Sequence, residues 1–235
     1  MFTAWSPSHL VVLAIFVAGT IGLLLAGPRL RGSDLERPLA VGLAWGNLTF
    51  GVASTITELF PFSAKHSLPL QICDLAWIFV AWALLSTRPL PLALTYYWGL
   101  TLSVQGLVQP TLTEPFPDVE FFVFWAKHVL IVWGAVYLCL ALRHGPDWAA
   151  YRRAVVWTIG WLVVVLCLNA VLGSNYGYVS GKPSEATVLD LLGPWPWYIV
   201  AEMAIVAGGW ALITLPWVRR SADQGGGSRP RRSSR

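Results

Sequence analysis

The chain has 235 residues, of which 56% are hydrophobic and only 12% are charged. Because soluble domains carry about 25% charged residues, this composition excludes an ordinary soluble domain and predicts a protein built mainly within a membrane. The net charge is +4, but the arginines lie at the ends of apolar segments, as membrane topology requires, so we expect no nucleic-acid partner.

Seven apolar segments follow one another along the chain, each close to the roughly 20 residues that span a bilayer. No basic stretch precedes the first, so we interpret it as a membrane span rather than a signal peptide. The pattern predicts an all-α, seven-transmembrane-helix bundle over residues 1–218 and a disordered, basic cytoplasmic tail over residues 219–235. The predicted spans are 8–27, 38–60, 68–86, 89–109, 119–142, 154–174 and 195–217.

The basic residues predict the orientation of the bundle. All thirteen arginines fall on one side of the predicted spans, whereas Lys65 and Lys182 fall on the other and Lys127 lies inside a span. Since positive residues collect in cytoplasmic loops, we expect the N-terminus outside and the C-terminus in the cytoplasm. The expected location is the cell membrane, with several passes through it.

Polar side chains recur at one depth, in the outer third of several predicted spans. At a rise of about 1.5 Å per residue, these groups lie at similar distances from the outer surface. Ionisable groups inside a membrane are costly and are candidates for function, so we predict a cavity that opens outward. The residues at this depth are Glu58, Cys73, Asp74, Gln105, Gln109, Lys127, His128, Asn169 and Glu202.

Most of these residues also have a structural interpretation. Asp74 and Lys127 could form a buried ion pair, and Gln105 and Asn169 could join helices by hydrogen bonds. Three cysteines inside apolar segments predict neither a disulfide framework nor a zinc motif, and we expect no metal and no cofactor. Cys139 and Cys167 have no polar neighbours and are expected to be apolar fillers.

Cys73 and His128 at matched depth suggest nucleophilic acyl transfer. A thiolate can attack an ester carbonyl when a base within hydrogen-bond reach removes its proton. Neighbours on a helix point about 100° apart, so one of Cys73 and Asp74, and one of Lys127 and His128, should face inward. We expect Cys73 and His128 to do so. The predicted pocket residues around them are Gln71, Asp74, Gln105 and Lys127, with Asn169 and Glu202 at the wall.

Several short motifs resemble those of the YwaF-type bacterial integral membrane proteins. They are the segments Leu68–Leu75, Tyr97–Gly99, Ser103–Gly106 with Pro110, Phe121–Trp125 before His128, and Asn175–Tyr176. These proteins are similar to the eukaryotic transmembrane protein one-six-four group, which are cysteine-dependent acyltransferases of ether phospholipids. The resemblance implies that Cys73 is the nucleophile, that His128 is its base, and that membrane phospholipids are the partners.

Other functions remain open from the residues. The polar layer could serve a small-solute transporter or binding protein, or the chain could be a non-catalytic membrane scaffold. The apolar inner halves of the spans favour chemistry in the outer leaflet over transport. A retinal protein is excluded because its Schiff base needs a lysine in the last span, and residues 195–217 contain none.

The orientation can be tested with a reporter enzyme fused after Trp217. Because the arginines are confined to one side, we expect the reporter to be active in the cytoplasm, and a reporter placed before the first span to be active outside. A C-terminal reporter that is active only outside the cell would overturn the assigned topology.

Overall fold

A computed structural model describes residues 1–183 and 187–226, which are predominantly helical and contain no β-strand. Seven long helical segments follow one another in the expected order, and two short 3₁₀ turns, Tyr176–Tyr178 and Val188–Leu192, lie in the last connection. The segments are α1 (Pro7–Leu30), α2 (Glu36–Leu59), α3 (Ile72–Ser86), α4 (residues 89–108), α5 (Val119–Ala141), α6 (Trp148–Leu172) and α7 (Trp197–Gly226).

Five of the described helices, α1, α2, α5, α6 and α7, are long and apolar enough to cross a membrane. The protein is therefore an all-helical, multi-pass membrane protein. The apolar helix α3 has 15 residues and covers about 22 Å, less than the hydrocarbon core of about 30 Å. In α4, a π-helical stretch, Thr95–Leu102, separates two α-helical segments of six residues each. The count of seven spans stays a prediction.

Two helices begin four or more residues away from the predicted position. The span predicted from residue 68 starts at Ile72, because Gln71 caps the helix. The span predicted from residue 154 starts at Trp148, because the Asp147 side chain accepts a hydrogen bond from the backbone N–H of Ala150 at 2.6 Å. Such N-caps satisfy backbone donors that a helix leaves free.

The last helix continues beyond the predicted end of the membrane domain at residue 218. Helix α7 reaches Gly226, so the first part of the predicted tail is helical. Residues 227–235 lie outside the described part of the chain, and the disorder expected for them stays a prediction.

Arginines hold together several helix ends at one end of the bundle. Arg31, just after α1, donates through Nε to the carbonyl of Ala141 at 2.7 Å, at the end of α5. Arg37, in the first turn of α2, donates to the carbonyls of Leu84 and Leu85 near the end of α3, both at 3.2 Å. Carbonyls at helix C-termini carry partial negative charge, so these arginines both cap the helices and gather positive charge at this end.

Helix α4 occupies the centre of the bundle. Its residues 95–99 are all buried. Trp98 donates to the Thr158 hydroxyl on α6 at 2.8 Å, and the Tyr97 hydroxyl is 2.6 Å from that of Thr214 on α7. On the side toward α5, a Cβ added at Gly99 would lie 2.8 Å from the Cβ of Ala135. These contacts fix the position of Ser103–Val108, the turns of α4 that lie beside the candidate site.

Candidate functional site

A buried ion cluster joins three helices, α2, α3 and α5. The Lys127 ammonium on α5 lies 3.0 Å from Asp74 Oδ1 on α3 and 3.2 Å from Glu58 Oε1 at the end of α2. The side chains of Lys127 and Asp74 are only 4% and 6% exposed, whereas that of Glu58 is 36% exposed. Each charge therefore has a partner of opposite sign on another helix.

The second carboxylate oxygen of Asp74 is also occupied. Asp74 Oδ2 accepts a hydrogen bond from the backbone N–H of Gln71 at 3.1 Å, which closes the first turn of α3 as a capping box. The Gln71 side-chain oxygen accepts from the backbone N–H of Gly177 at 2.9 Å. Gln71 thus ties the start of α3 to the turn that follows α6.

Cys73 lies in the same first turn and is partly buried. Its thiol is directed toward the Ser103 hydroxyl on α4, with 4.0 Å between Sγ and Oγ. Ser103 is fully buried. It was not among the predicted site residues, although it begins the Ser103–Gly106 segment that contributes to the resemblance.

His128 is 4% exposed and held in one orientation. Its Nδ1 lies 2.8 Å from the carbonyl of Phe124 one turn earlier on α5. A carbonyl can only accept, so we assign the proton of the neutral ring to Nδ1 and the lone pair to Nε2. The Nε2 edge faces α4, where a Cβ added at Gly106 would lie 2.6 Å from Nε2. A glycine at this position lets the imidazole approach the helix backbone.

Cys73 and His128 therefore contact the same face of α4 one turn apart. Ser103 and Gly106 are separated by three residues, a rise of about 4.5 Å. No hydrogen bond joins Cys73 to His128 within residues 1–183 and 187–226. The two side chains approach a common surface of α4, Cys73 from α3 and His128 from α5.

Only one of the adjacent residues Lys127 and His128 was expected from the sequence to face inward, and this expectation is wrong. Lys127 and His128 are both buried, because α5 packs against α2 and α3 on one side and against α4 on another. On α3, Asp74 is more deeply buried than Cys73. A central helix has no single inward face.

Three predicted pocket residues form no hydrogen bond with Cys73 or His128 in the described part of the chain. Gln105 is exposed and lines a groove of about 230 Å³ between α4 and α7. Asn169 is buried, but its amide is used by Ser174 and by both backbone groups of Tyr176. Glu202 is partly buried on α7 and forms no ion pair with any described residue.

The structure also forms a cavity that the sequence did not predict. It has a volume of about 320 Å³ and lies where the α2–α3 loop meets the loop after α6. Lys65 and Lys182 both line this cavity. Their proximity could not be predicted, because they are far apart in the sequence and no motif connects them. The lining of the cavity includes Lys65, His66, Gln71, Asn175, Tyr178 and Lys182.

Comparison with known proteins extends over most of the chain. The profile of the TMEM164 family matches residues 4–214. An uncharacterised protein of Treponema pallidum is 26% identical over 198 residues, which cover 83% of this chain and 81% of that protein. No solved structure matches the chain. These matches support the transmembrane protein 164 part of the expected resemblance, and the narrower YwaF-type assignment stays a prediction.

The ion cluster predicts a large effect for the loss of its cation. Lys127→Met would leave the Asp74 carboxylate buried without its partner, which should lower the free energy of unfolding by about 3–5 kcal/mol. The double variant Asp74→Asn/Lys127→Met removes both charges and keeps a capping oxygen, so it should regain most of that loss. Unfolding in detergent micelles is the measurement.

Lys182→Met serves as the matched control. It breaks the more exposed pair between Lys182 and Asp190, which are 3.6 Å apart, and should cost at most about 1 kcal/mol. If Lys127→Met is as stable as Lys182→Met, the cluster does not stabilise the bundle.

Proposed function

Since the chain belongs to the TMEM164 family, we propose that it is a cell-membrane enzyme that transfers or hydrolyses acyl chains of phospholipids. Cys73 is the nucleophile and His128 the general base and acid. The site lies in the outer third of a bundle of seven spans, whose N-terminus is outside and whose C-terminus is cytoplasmic. The YwaF-type motifs support the further proposal that the chain is one of the bacterial relatives of the family.

The proposed reaction has two steps. His128 Nε2 takes the thiol proton while Cys73 Sγ attacks the ester carbonyl, and the ester C–O bond then breaks. The imidazolium returns this proton to the leaving oxygen, which departs as the hydroxyl of a lysophospholipid. In the second step, His128 removes a proton from a lysolipid hydroxyl or from water, whose oxygen attacks the thioester and releases the thiolate. The imidazolium returns the proton to that thiolate.

The observation that carries this proposal is the shared contact of Cys73 and His128 with α4. Cys73 reaches Ser103 and His128 reaches Gly106, one turn further along the helix. An ester seated against this face would be within reach of both side chains. The Phe124 carbonyl supports the base role, because it holds the Nδ1 proton and leaves the Nε2 lone pair free to accept another.

A small-solute transporter or a scaffold is the alternative function. The buried ion cluster is the feature that a transporter would use for coupling. However, Lys127 is held by two carboxylates, and Asp74 by Lys127 and its own helix start. These contacts favour a structural role that fixes α3 beside α5, and we therefore prefer the enzyme.

Replacement of the nucleophile should abolish the activity. Cys73→Ser is nearly isosteric and should keep the fold, but a hydroxyl is a much weaker nucleophile here than a thiol. We expect acyl exchange between phospholipid and lysophospholipid in liposomes to fall to background. A hydroxylamine-sensitive acyl adduct should form on the wild type but not on the variant.

Two other cysteines provide controls. Cys139 is fully buried and Cys167 is exposed on α6, so Cys139→Ser and Cys167→Ser should retain turnover. Equal lipid remodelling by wild type and Cys73→Ser would eliminate Cys73 as the nucleophile. Wild-type activity no greater than that of empty liposomes would favour the transporter or scaffold instead.

The glycine beside His128 offers a test that leaves both proposed catalytic groups in place. A Cβ at position 106 would lie 2.5 Å from the imidazole Cδ2, so Gly106→Ala should displace the ring. Displacement by about 1 Å should lower turnover by roughly 100-fold. The control is Gly160→Ala on α6, where the added Cβ has no neighbour within 4 Å.

The two alanine variants are compared in the same liposome assay after their folded state has been checked by thermal unfolding. Equal turnover of folded Gly106→Ala and Gly160→Ala would show that the position of His128 does not matter for the reaction.

A further inference from the structure

The cavity beside the start of α3 contains the two lysines of the outer loops. Lys65 and Lys182 come from loops that are separated along the chain by four helices, α3 to α6, and both line the same space of about 320 Å³ together with His66. In the described part of the chain, Asp190 is the one carboxylate within ion-pair distance of either lysine, 3.6 Å from Lys182. Among the described residues, the cavity thus has an excess of positive charge.

Hydrogen bonds hold both lysine-bearing loops in place. The Tyr176 hydroxyl donates to the carbonyl of Ala64 at 3.0 Å and accepts from the backbone N–H of Leu68 at 2.9 Å, which clamps the segment around Lys65. The Asn175 side chain donates to the carbonyl of Gly181 at 2.8 Å and accepts from Ser180 at 3.0 Å. These bonds close the turn that leads to Lys182. Hydrogen bonds within and between the two loops therefore hold both lysines beside the same cavity.

We propose that this cavity binds the phosphate of an anionic glycerophospholipid. Lysine ammonium groups bind phosphate oxygens as point charges, and the volume is that of a small ligand site. The excess positive charge favours a head group without a cation of its own, such as phosphoglycerol over phosphocholine.

The position of the cavity relates it to the proposed reaction. Gln71 lines the cavity and precedes Cys73 by two residues, so the backbone between them spans at most about 7 Å. In a glycerophospholipid, the acyl esters are a few bonds from the phosphate. A phosphate held by the lysines would thus leave an ester near the thiol. This orientation rests on the proposed function, whereas phosphate binding itself does not require catalysis.

The test measures binding directly. The full chain, purified in detergent, is mixed with equimolar dioleoyl phosphatidylglycerol and dioleoyl phosphatidylcholine. Native mass spectrometry then identifies the bound lipid and measures the fraction of protein that carries it. Wild type should prefer phosphatidylglycerol. Lys65→Gln and Lys182→Gln should each weaken that binding about tenfold, as expected for the loss of one charge-assisted contact, and the double variant should lose the preference.

Three further variants separate the possible causes. Arg88→Gln removes a cation from the opposite end of the bundle and should leave binding unchanged. Lys65→Arg and Lys182→Arg keep the charge and should retain the preference. If Arg88→Gln weakens binding as much as the lysine variants do, the attraction is non-specific and the proposal fails. Retained preference in the folded double lysine variant would also overturn it.

A soluble phosphate is the other source of the same chemistry. Glycerol 1-phosphate should bind weakly and should not displace phosphatidylglycerol at equal concentration, since it lacks the acyl chains. Lysine-dependent binding of glycerol phosphate without lipid binding would overturn the lipid assignment.

Cys73→Ser should bind lipid as wild type does. Lysine-dependent lipid binding in a protein without acyl exchange would refute the proposed function alone. Acyl exchange in a protein whose lipid binding is indifferent to both lysines would refute the phosphate site alone.

Discussion

The arrangement of α2, α3 and α5 around the candidate site depends on the ion pairs of Lys127. Its two carboxylate partners are Asp74 on α3 and Glu58 on α2, so a single cation joins three helices in a region where an unpaired charge would be costly. Asp74 at the same time caps the first turn of α3. The position of Cys73, one residue before Asp74, follows from these two constraints.

Helix α4 provides the surface that Cys73 and His128 share. Its π-helical stretch, Thr95–Leu102, is surrounded by other helices and turns the residues that follow relative to a continuous α-helix. As a result, Ser103 and Gly106 lie beside Cys73 and His128, whereas Gln105 faces a groove on another side. The absence of a side chain at Gly106 allows the close approach of the imidazole.

The loop between α2 and α3, the loop after α6 and the start of α3 form one connected region. Gln71 caps α3, accepts a hydrogen bond from Gly177, and lines the lysine-containing cavity. Asn169 and Tyr176 hold the turn after α6 against the loop before α3. Asn169, for which the sequence allowed an interhelical hydrogen bond, thus positions a loop. The charged residues of the two loops provide the candidate binding surface.

The sequence alone was sufficient for the all-helical membrane fold and for the common level of Asp74 and Lys127. Apolar segments of spanning length predict membrane helices because a bilayer leaves helices as the simplest way to pair every backbone group. Matched depth along the predicted spans brought Asp74 and Lys127 to one level, and they do form an ion pair. These inferences need only the rise per residue of a helix and the polarity of its side chains.

The tertiary structure decided which polar groups meet. Helical phase could not predict the burial of both Lys127 and His128, because a helix with neighbours on several sides has several buried faces. It could not place Gln105 either, because the π-helical turns shift the register without a distinct sequence signal. The meeting of Lys65 with Lys182 depends on hydrogen bonds of Tyr176 and Asn175. Depth is a local property of each span and can be read from the sequence, whereas direction and partnership arise only when the helices pack.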